Sequence, residues 1–229
     1  MLDTRQYDLQ RLLARMPLFQ DVGPAGLERL ASAVQVRRLE RSEFVFHVGS
    51  ACEAFFLTIS GQVRLFVIAP NGNEKVIEII GPGMSFAEAL MFLGAPCVVN
   101  AQALTDTALL VVPRHAVLAE MEADSRFALR MLAGLSRRLH GLVHDVQAQA
   151  LQSGVQRVVG YLLRDIAHDD SAPTVSLPVS KATVASRLSL TPEYFSRVLH
   201  ELEAAGLIEI DKREIRIVDA GALGRYPAQ

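Results

Sequence analysis

Apolar positions change their period along the chain, and each change predicts a different element. In 124–149, Leu132, Leu135, Leu139, Leu142 and Val146 recur at spacings of three and four, the a/d pattern of a two-stranded coiled coil. The pattern predicts one long helix whose seam takes a partner, either a second copy of the chain or a neighbouring helix within one domain. Strand-like sequence precedes this stretch and a compact helical unit follows it, so the helix is placed to dimerise the protein and link two domains.

Ahead of it, Leu9, Leu12, Leu13, Met16, Leu18 and Phe19 predict a short amphipathic helix ending near Pro17. A second follows Gly23-Pro24, with Leu27, Leu30 and Ala31 on one face. From Phe44 the pattern turns to short β-branched and aromatic runs: Phe44–Phe46, Phe55–Ile59, Val63–Ile68 and Val76–Ile80. Ser60-Gly61, Pro70-Asn71-Gly72-Asn73 and Gly81-Pro82-Gly83 separate them as turns, which predicts a small antiparallel barrel or roll. Thr107–Val112 reads as its last strand, and Pro113 closes the domain. Between them, Phe86–Leu90 has helical composition, predicting a short helix that lines a cavity and whose first N–H groups can hold an anion. The alternative is an interior connector with one exposed Glu.

Beyond the long helix, Val155, Val158, Val159 and Leu162 begin another helix, ending near the polar run His168-Asp169-Asp170-Ser171. Ser180 is an N-cap for a short helix carrying Val184, Ala185 and Leu188; Thr191 is a second N-cap, with Pro192 at the favoured first position. In the helix that follows, Phe195, Val198, Leu199 and Leu202 form a buried face, while Glu193, Ser196, Arg197 and His200 repeat outward. Gly206 ends this helix, and Leu207–Ile210 with Glu214–Val218 reads as a hairpin. Two helices, a tight turn and a hairpin make a winged helix-turn-helix. Its outward face suits a major groove, since Arg can bond guanine O6 and N7 while Glu accepts from cytosine N4. A merely solvated charged face is the competing reading. Ser180, Lys181, Thr191, Glu193, Tyr194, Ser196, Arg197 and His200 are the candidate DNA-binding residues, and Leu132, Leu135, Leu139, Leu142 and Val146 the candidate dimer interface.

The fold class is therefore α+β, in three parts: an N-terminal sensor at 1–113, a dimerisation helix at 114–152 and a winged helix-turn-helix at 153–229. Composition adds constraints. The 229 residues are half hydrophobic and carry a formal net charge of −2, so DNA binding rests on local geometry rather than a general basic excess. Only Cys52 and Cys97 are present, without disulfide or metal-ligand spacing, and no stretch approaches the roughly 18 apolar residues of a membrane span. A cytoplasmic protein with no membrane partner is expected. No nucleophile triad, phosphate loop, paired carboxylates or metal motif supports an enzyme.

The segments LTISGQVRLF, EKVIEIIGPGMSFAEALMF and LTPEYFSRVLHELEAAGLIEI resemble the Crp/Fnr superfamily of bacterial transcription regulators, a likeness running from about Leu18 to Val218. That resemblance implies a cyclic-nucleotide-binding-type β-roll, a dimerisation helix and a DNA-binding domain. Glu193, Ser196 and Arg197 are similar to the E-x-x-S-R signature of the Fnr side, which implies TTGAT half-sites in a TTGAT-N4-ATCAA palindrome. Arg197 and Glu193 would read the G·C pair, Ser196 a neighbouring thymine or phosphate, and RNA polymerase is the further partner implied. Departures bear on the signal. Glu88 stands where cyclic-AMP-binding members have Glu, but Cys97-Val98 replaces their phosphate-clamping Arg-Ser or Arg-Thr, which counts against cyclic AMP. No Cys precedes Cys52, so the ligand set of an iron–sulfur cluster is missing. FAEALMF looks most like the Dnr branch, which implies nitric oxide sensing through haem in an effector pocket comprising Phe86, Ala87, Glu88, Ala89, Leu90, Cys97 and Val98. His47, His115, His140, His144, His168 and His200 are all open as axial ligand. His140 and His144 stand i, i+4, but HGLVH lacks the Glu of a zinc motif and no metal site is assigned. Ser189 occupies a turn position where the family often has Gly.

Overall fold

A computed structural model describes residues 8–19, 22–163, 174–177 and 180–227. The chain divides into two compact units, one of Met1–Val67 with Ile77–His140, the other of Ile68–Val76 with Gly141–Gln229. His168, and with it the polar run 168–171, lies outside the described residues.

The first unit opens with helix α1 (Leu9–Ala14), capped by Asp8, whose carboxylate accepts from Arg11 N, and a single 3-10 turn at Pro17–Phe19. Helix α2 (Pro24–Ala33) starts with proline at its first turn, as Gly23-Pro24 predicts. Two four-stranded sheets follow. One has the order β1 (Gln35–Leu39), β8 (Thr107–Pro113), β3 (Ala54–Ser60) and β6 (Ser85–Phe86). The other runs β2 (Phe44–Phe46), β7 (Asn100–Ala103), β4 (Val63–Ile68) and β5 (Glu74–Ile80). Strands with β-branched and aromatic runs fall where the sequence predicts them. β1 and β7 do not carry such runs. β7 is Asn-Ala-Gln-Ala, yet it pairs with both β2 and β4, so hydrogen bonding on two sides holds a sequence of weak strand preference extended.

One cluster of the core joins Phe19, Phe55, Leu57, Leu110 and Val112 to Phe127 and Met131. Phe19 and Phe127 stack with centroids 6.0 Å apart. A second cluster, Leu39, Val63, Leu65, Ile80, Phe86, Ala101 and Leu109, fills the roll.

The segment 114–152 read as one dimerisation helix is two helices. α4 (Arg114–Ala123) ends at Asp124, which is extended (φ −140°, ψ 102°), and α5 (Ser125–Leu151) begins there, with the Asp124 carboxylate accepting from Arg126 N. α4 packs on α2 through a bidentate pair between Arg29 and the buried Glu120. On α5, Leu129, Leu132, Leu139, Leu142, Val143 and Val146 are exposed and Leu135 is half-buried, so the predicted stripe faces outward and extends further than the heptad count.

The second unit holds α6 (Gly154–Leu163), α7 (Lys181–Arg187), α8 (Pro192–Ala204), α9 (Ala220–Gly224), and a sheet of order β10 (Ile208–Asp211), β11 (Glu214–Ile217) and β9 (Thr174–Ser176). The hairpin is as predicted; β9 makes it three-stranded. Among the described residues no helix is long and apolar enough to cross a membrane.

Gly26 sets the approach of α2 to α4, because a Cβ there would lie 2.4 Å from Glu120 Oε1 and 2.7 Å from Val22 Cγ1. Gly26→Ala is therefore expected to displace the buried carboxylate and cost about 1–3 kcal/mol, or roughly 2–4 °C in Tm per kcal/mol, in thermal unfolding followed by circular dichroism. Gly160→Ala, in open space on α6, should instead raise Tm slightly.

Candidate nucleic-acid interface and effector segment

The two helices of the DNA-binding motif start as their sequence dictates. Ser180 Oγ accepts from Thr183 N at the head of α7, and Thr191 Oγ1 accepts from Tyr194 N at the head of α8, with Pro192 in the first turn. Phe195, Val198, Leu199 and Leu202 are buried, which fixes the rotation of α8 about its axis. Glu193, Arg197 and His200 consequently stand exposed, while Ser196 and Lys181 are half-buried. Arg197 lies 4.8 Å over the Tyr194 ring and 3.8 Å from Glu201, and His200 Nδ1 is 3.4 Å from Glu203. The Tyr194 ring underlies Arg197 and packs so closely on α6 that a Cβ at Gly154 would come within 2.5 Å of it. The turn residue Ser189 adopts φ 57°, the left-handed conformation expected at a site where glycine is the easier choice.

The wing is tied to α8 by Ile210 N, which donates to Glu203 Oε1, and its strands are bridged by Arg216 and Glu209. The Arg216 guanidinium lowers the Glu209 carboxyl below its usual range. A contact absent from the sequence reading lies on the other side of the turn. Lys75, in the 68–76 hairpin, donates from Nζ to the carbonyl oxygens of Ser186 and Arg187 and to Ser189 Oγ, and Val76 N donates to Ser186 Oγ. The ammonium thereby caps the end of α7. Desolvation, followed by repulsion from Arg187 and Arg157, lowers its pKa. A lysine in a strand that also carries Glu74 and Glu78 gave no distinguishing sequence signal.

In the first unit the effector segment differs from its expected form. Phe86 belongs to β6, not to a helix, and stacks on Phe56 at 5.2 Å. Ala87 is left-handed (φ 71°), and the helix α3 spans Glu88–Leu93. Glu88 is 6% exposed, so the reading of an exposed Glu on a connector is excluded. Leu90 is half-buried. Ala89 and Val98 face solvent. The cation that the sequence reading found missing beside Glu88 comes from α5: Arg138 donates to Glu78 Oε2 and Ser85 O at 2.6 Å each, and lies 3.5 Å from Glu88 Oε2. Adjacent arginines in an amphipathic helix gave no hint of which one turns inward.

Alongside lies a cavity of about 420 Å³ lined by Phe44, Phe46, Phe56, His47, Cys52 and Cys97, among others. Of the candidate effector residues only Cys97 lines it. His47, stacked on Phe44 at 4.0 Å, is the one described histidine on its wall. Among the described residues no three His, Cys, Asp or Glu side chains gather to hold a metal ion, His140 and His144 included.

Known proteins agree with this arrangement. A cyclic nucleotide-binding domain model matches residues 36–124 and a Crp-like helix-turn-helix domain model matches residues 156–226. The cyclic AMP receptor protein of Thermus thermophilus is 27% identical over 207 residues, 90% of this chain and 94% of that protein. The structure of FixK2 from Bradyrhizobium japonicum, 21% identical, covers 86% of this chain and 98% of its own with a TM-score of 0.76, a likeness of fold. The structure of DNR from Pseudomonas aeruginosa is 35% identical, covers 95% of this chain and 97% of its own, and has a TM-score of 0.52. The relatives are transcription regulators rather than enzymes. With a sensor-type roll, an exposed helical seam and a capped recognition helix carried in that order, the chain belongs to the Crp/Fnr family of DNA-binding transcription regulators.

Proposed function

We propose that the protein is a cytoplasmic homodimer that reads a TTGAT-N4-ATCAA palindrome and answers to nitric oxide through haem, acting as an activator in contact with RNA polymerase. The observation that carries the DNA half of this reading is the exposed Glu193/Arg197 pair on a helix whose buried face leaves it one orientation. A bidentate Arg to guanine and a Glu to the paired cytosine is the readout these two groups are built for. Dimerisation is supported by the row of exposed leucines and valines on α5, an apolar surface that water disfavours. Two copies paired along that seam would set their recognition helices about one turn of DNA apart, matching a palindrome.

The effector half rests on the cavity beside α3. Its aromatic wall suits a flat apolar group, and His47 would be the residue on that wall to hold the haem iron. Haem, when bound, supplies an iron that takes nitric oxide as a ligand. Likeness to DNR supports the same reading. Cyclic AMP fits less well, because Glu78 and Glu88 share the single guanidinium of Arg138. That trio carries a net negative charge, and a cyclic phosphate would add to it. The Thermus relative's name makes cyclic AMP the control ligand.

The test is fluorescence anisotropy on a labelled TTGAT-N4-ATCAA duplex at one fixed salt concentration, under anaerobic conditions. Ferrous haem-loaded protein should bind this duplex more tightly on adding nitric oxide, scrambled DNA should show no such gain, and cyclic AMP should change neither. Specific binding indifferent to both haem and nitric oxide would remove the sensing assignment and leave the DNA assignment standing. Arg197→Ala is expected to lose about 1–3 kcal/mol of discrimination between specific and scrambled duplexes while its dimer survives. Leu139→Glu, which sets like charges facing one another in the seam, should sediment as a monomer; a tight dimer would show that the stripe is not the interface.

A further inference from the structure

The sequence has two cysteines, separated by most of the β-roll, and the fold brings them together. The connection from β2 to β3 folds back at Gly49 (φ 86°), where Ser50 N donates to His47 O. Gly49 N then donates to Cys97 O at 2.7 Å, and Cys97 N to Ser50 O at 2.8 Å. This reciprocal backbone pair pins the segment before β7 against the connection. Cys52 and Cys97 are 8% and 2% exposed, both line the aromatic cavity, and each thiol is close enough to the other to raise or lower its charge. The Cys52 thiol also has two carbonyl acceptors, Ala54 O at 3.5 Å and Ala87 O at 3.6 Å.

We propose that Cys52 and Cys97 form a dithiol modification site in the cavity wall, oxidised to an intramolecular disulfide by a small disulfide of the glutathione class. One of the two thiols loses its proton and attacks one sulfur of the small disulfide, forming a mixed disulfide and expelling one small thiolate. The other then loses its proton and attacks the protein-borne sulfur of that mixed disulfide, forming the Cys52–Cys97 bond and expelling the second small thiolate. Two protein thiols are oxidised, one small disulfide is reduced to two thiols, and the two protons end on those leaving groups. Burial, with the neighbouring Cys97 adding to it, pushes the Cys52 thiol up to about 11, and burial raises Cys97 as well. The exchange is accordingly slow, suited to sustained oxidation rather than to a burst of peroxide. Its structural effect falls on the effector segment: oxidation removes the S–H that bonds the carbonyl of Ala87, the left-handed residue immediately before Glu88.

The inference does not depend on haem, and its test uses the full-length haem-free protein. After equilibration with excess oxidised glutathione and acid quenching, intact mass should fall by two hydrogens. Free thiols should drop from two to none, and peptide mapping without reductant should join Cys52 to Cys97. Cys52→Ser and Cys97→Ser, near-isosteric changes checked for unaltered Tm, should give at most a single glutathione adduct and no internal crosslink. Wild-type protein that keeps both thiols, gains glutathione on both, or forms crosslinks only between chains would overturn the proposal.

Discussion

Two acidic side chains turned into the β-roll need a cation, and the first half of α5 supplies it. Glu78 and Glu88 stand on different elements, β5 and α3, and Arg138 holds both while also bonding the carbonyl of Ser85 on β6. Removing one partner of such a part-buried cluster is costly, because the charges left behind are only partly reached by water. The roll, its short helix and the beginning of α5 are therefore tied together by charge as well as by the Phe19, Phe127 and Met131 packing. Any ligand that competes for Glu88 or for Arg138 must disturb this tie. That is how an event at α3 acquires a physical handle on the helix that bears the exposed seam.

The parts of the fold that were legible in the sequence are those where local preference and tertiary demand agree. Phe44–Phe46 and Val63–Ile68 are strands at the residues their composition indicates, and Ser180 and Thr191 cap the helices they precede. The misses follow from the opposite case. β1 has only Val36 and Leu39 as buried apolar residues and carries two arginines; it is a strand because β8 pairs with it along its whole length. The seam pattern set the start of the long helix at Asp124, and α5 begins at Ser125; that 114–123 is a separate helix and not its extension was not legible, because both stretches favour helix. Phe86 read as helical by its alanine neighbours, yet its ring is needed against Phe56 in the roll.

The site was legible to a similar extent. The outward face of α8 could be drawn from spacing alone, since burial of Phe195, Val198, Leu199 and Leu202 determines the rest. Pairings between distant segments could not. The ring of Tyr194 lies beneath Arg197, and Val98 and Ala89, adjacent in sequence to buried positions, point to solvent. Cys52 and Cys97 carried no signal of proximity, because spacing says nothing about which loops two backbone hydrogen bonds will fasten together.

Lys75 gives the clamp on the Ser186–Ser189 turn an unusual character. Three oxygens receive its ammonium, which would ordinarily mark a strong contact, but the group's affinity for its proton is lower there than in water. Lost hydration and the nearby Arg187 and Arg157 charges make that proton easier to lose. One donor group serves all three oxygens, so the contacts that fix where the hairpin rests stand or fall together with a single ammonium charge. An attachment of that kind is one pin through three rings rather than a row of stitches.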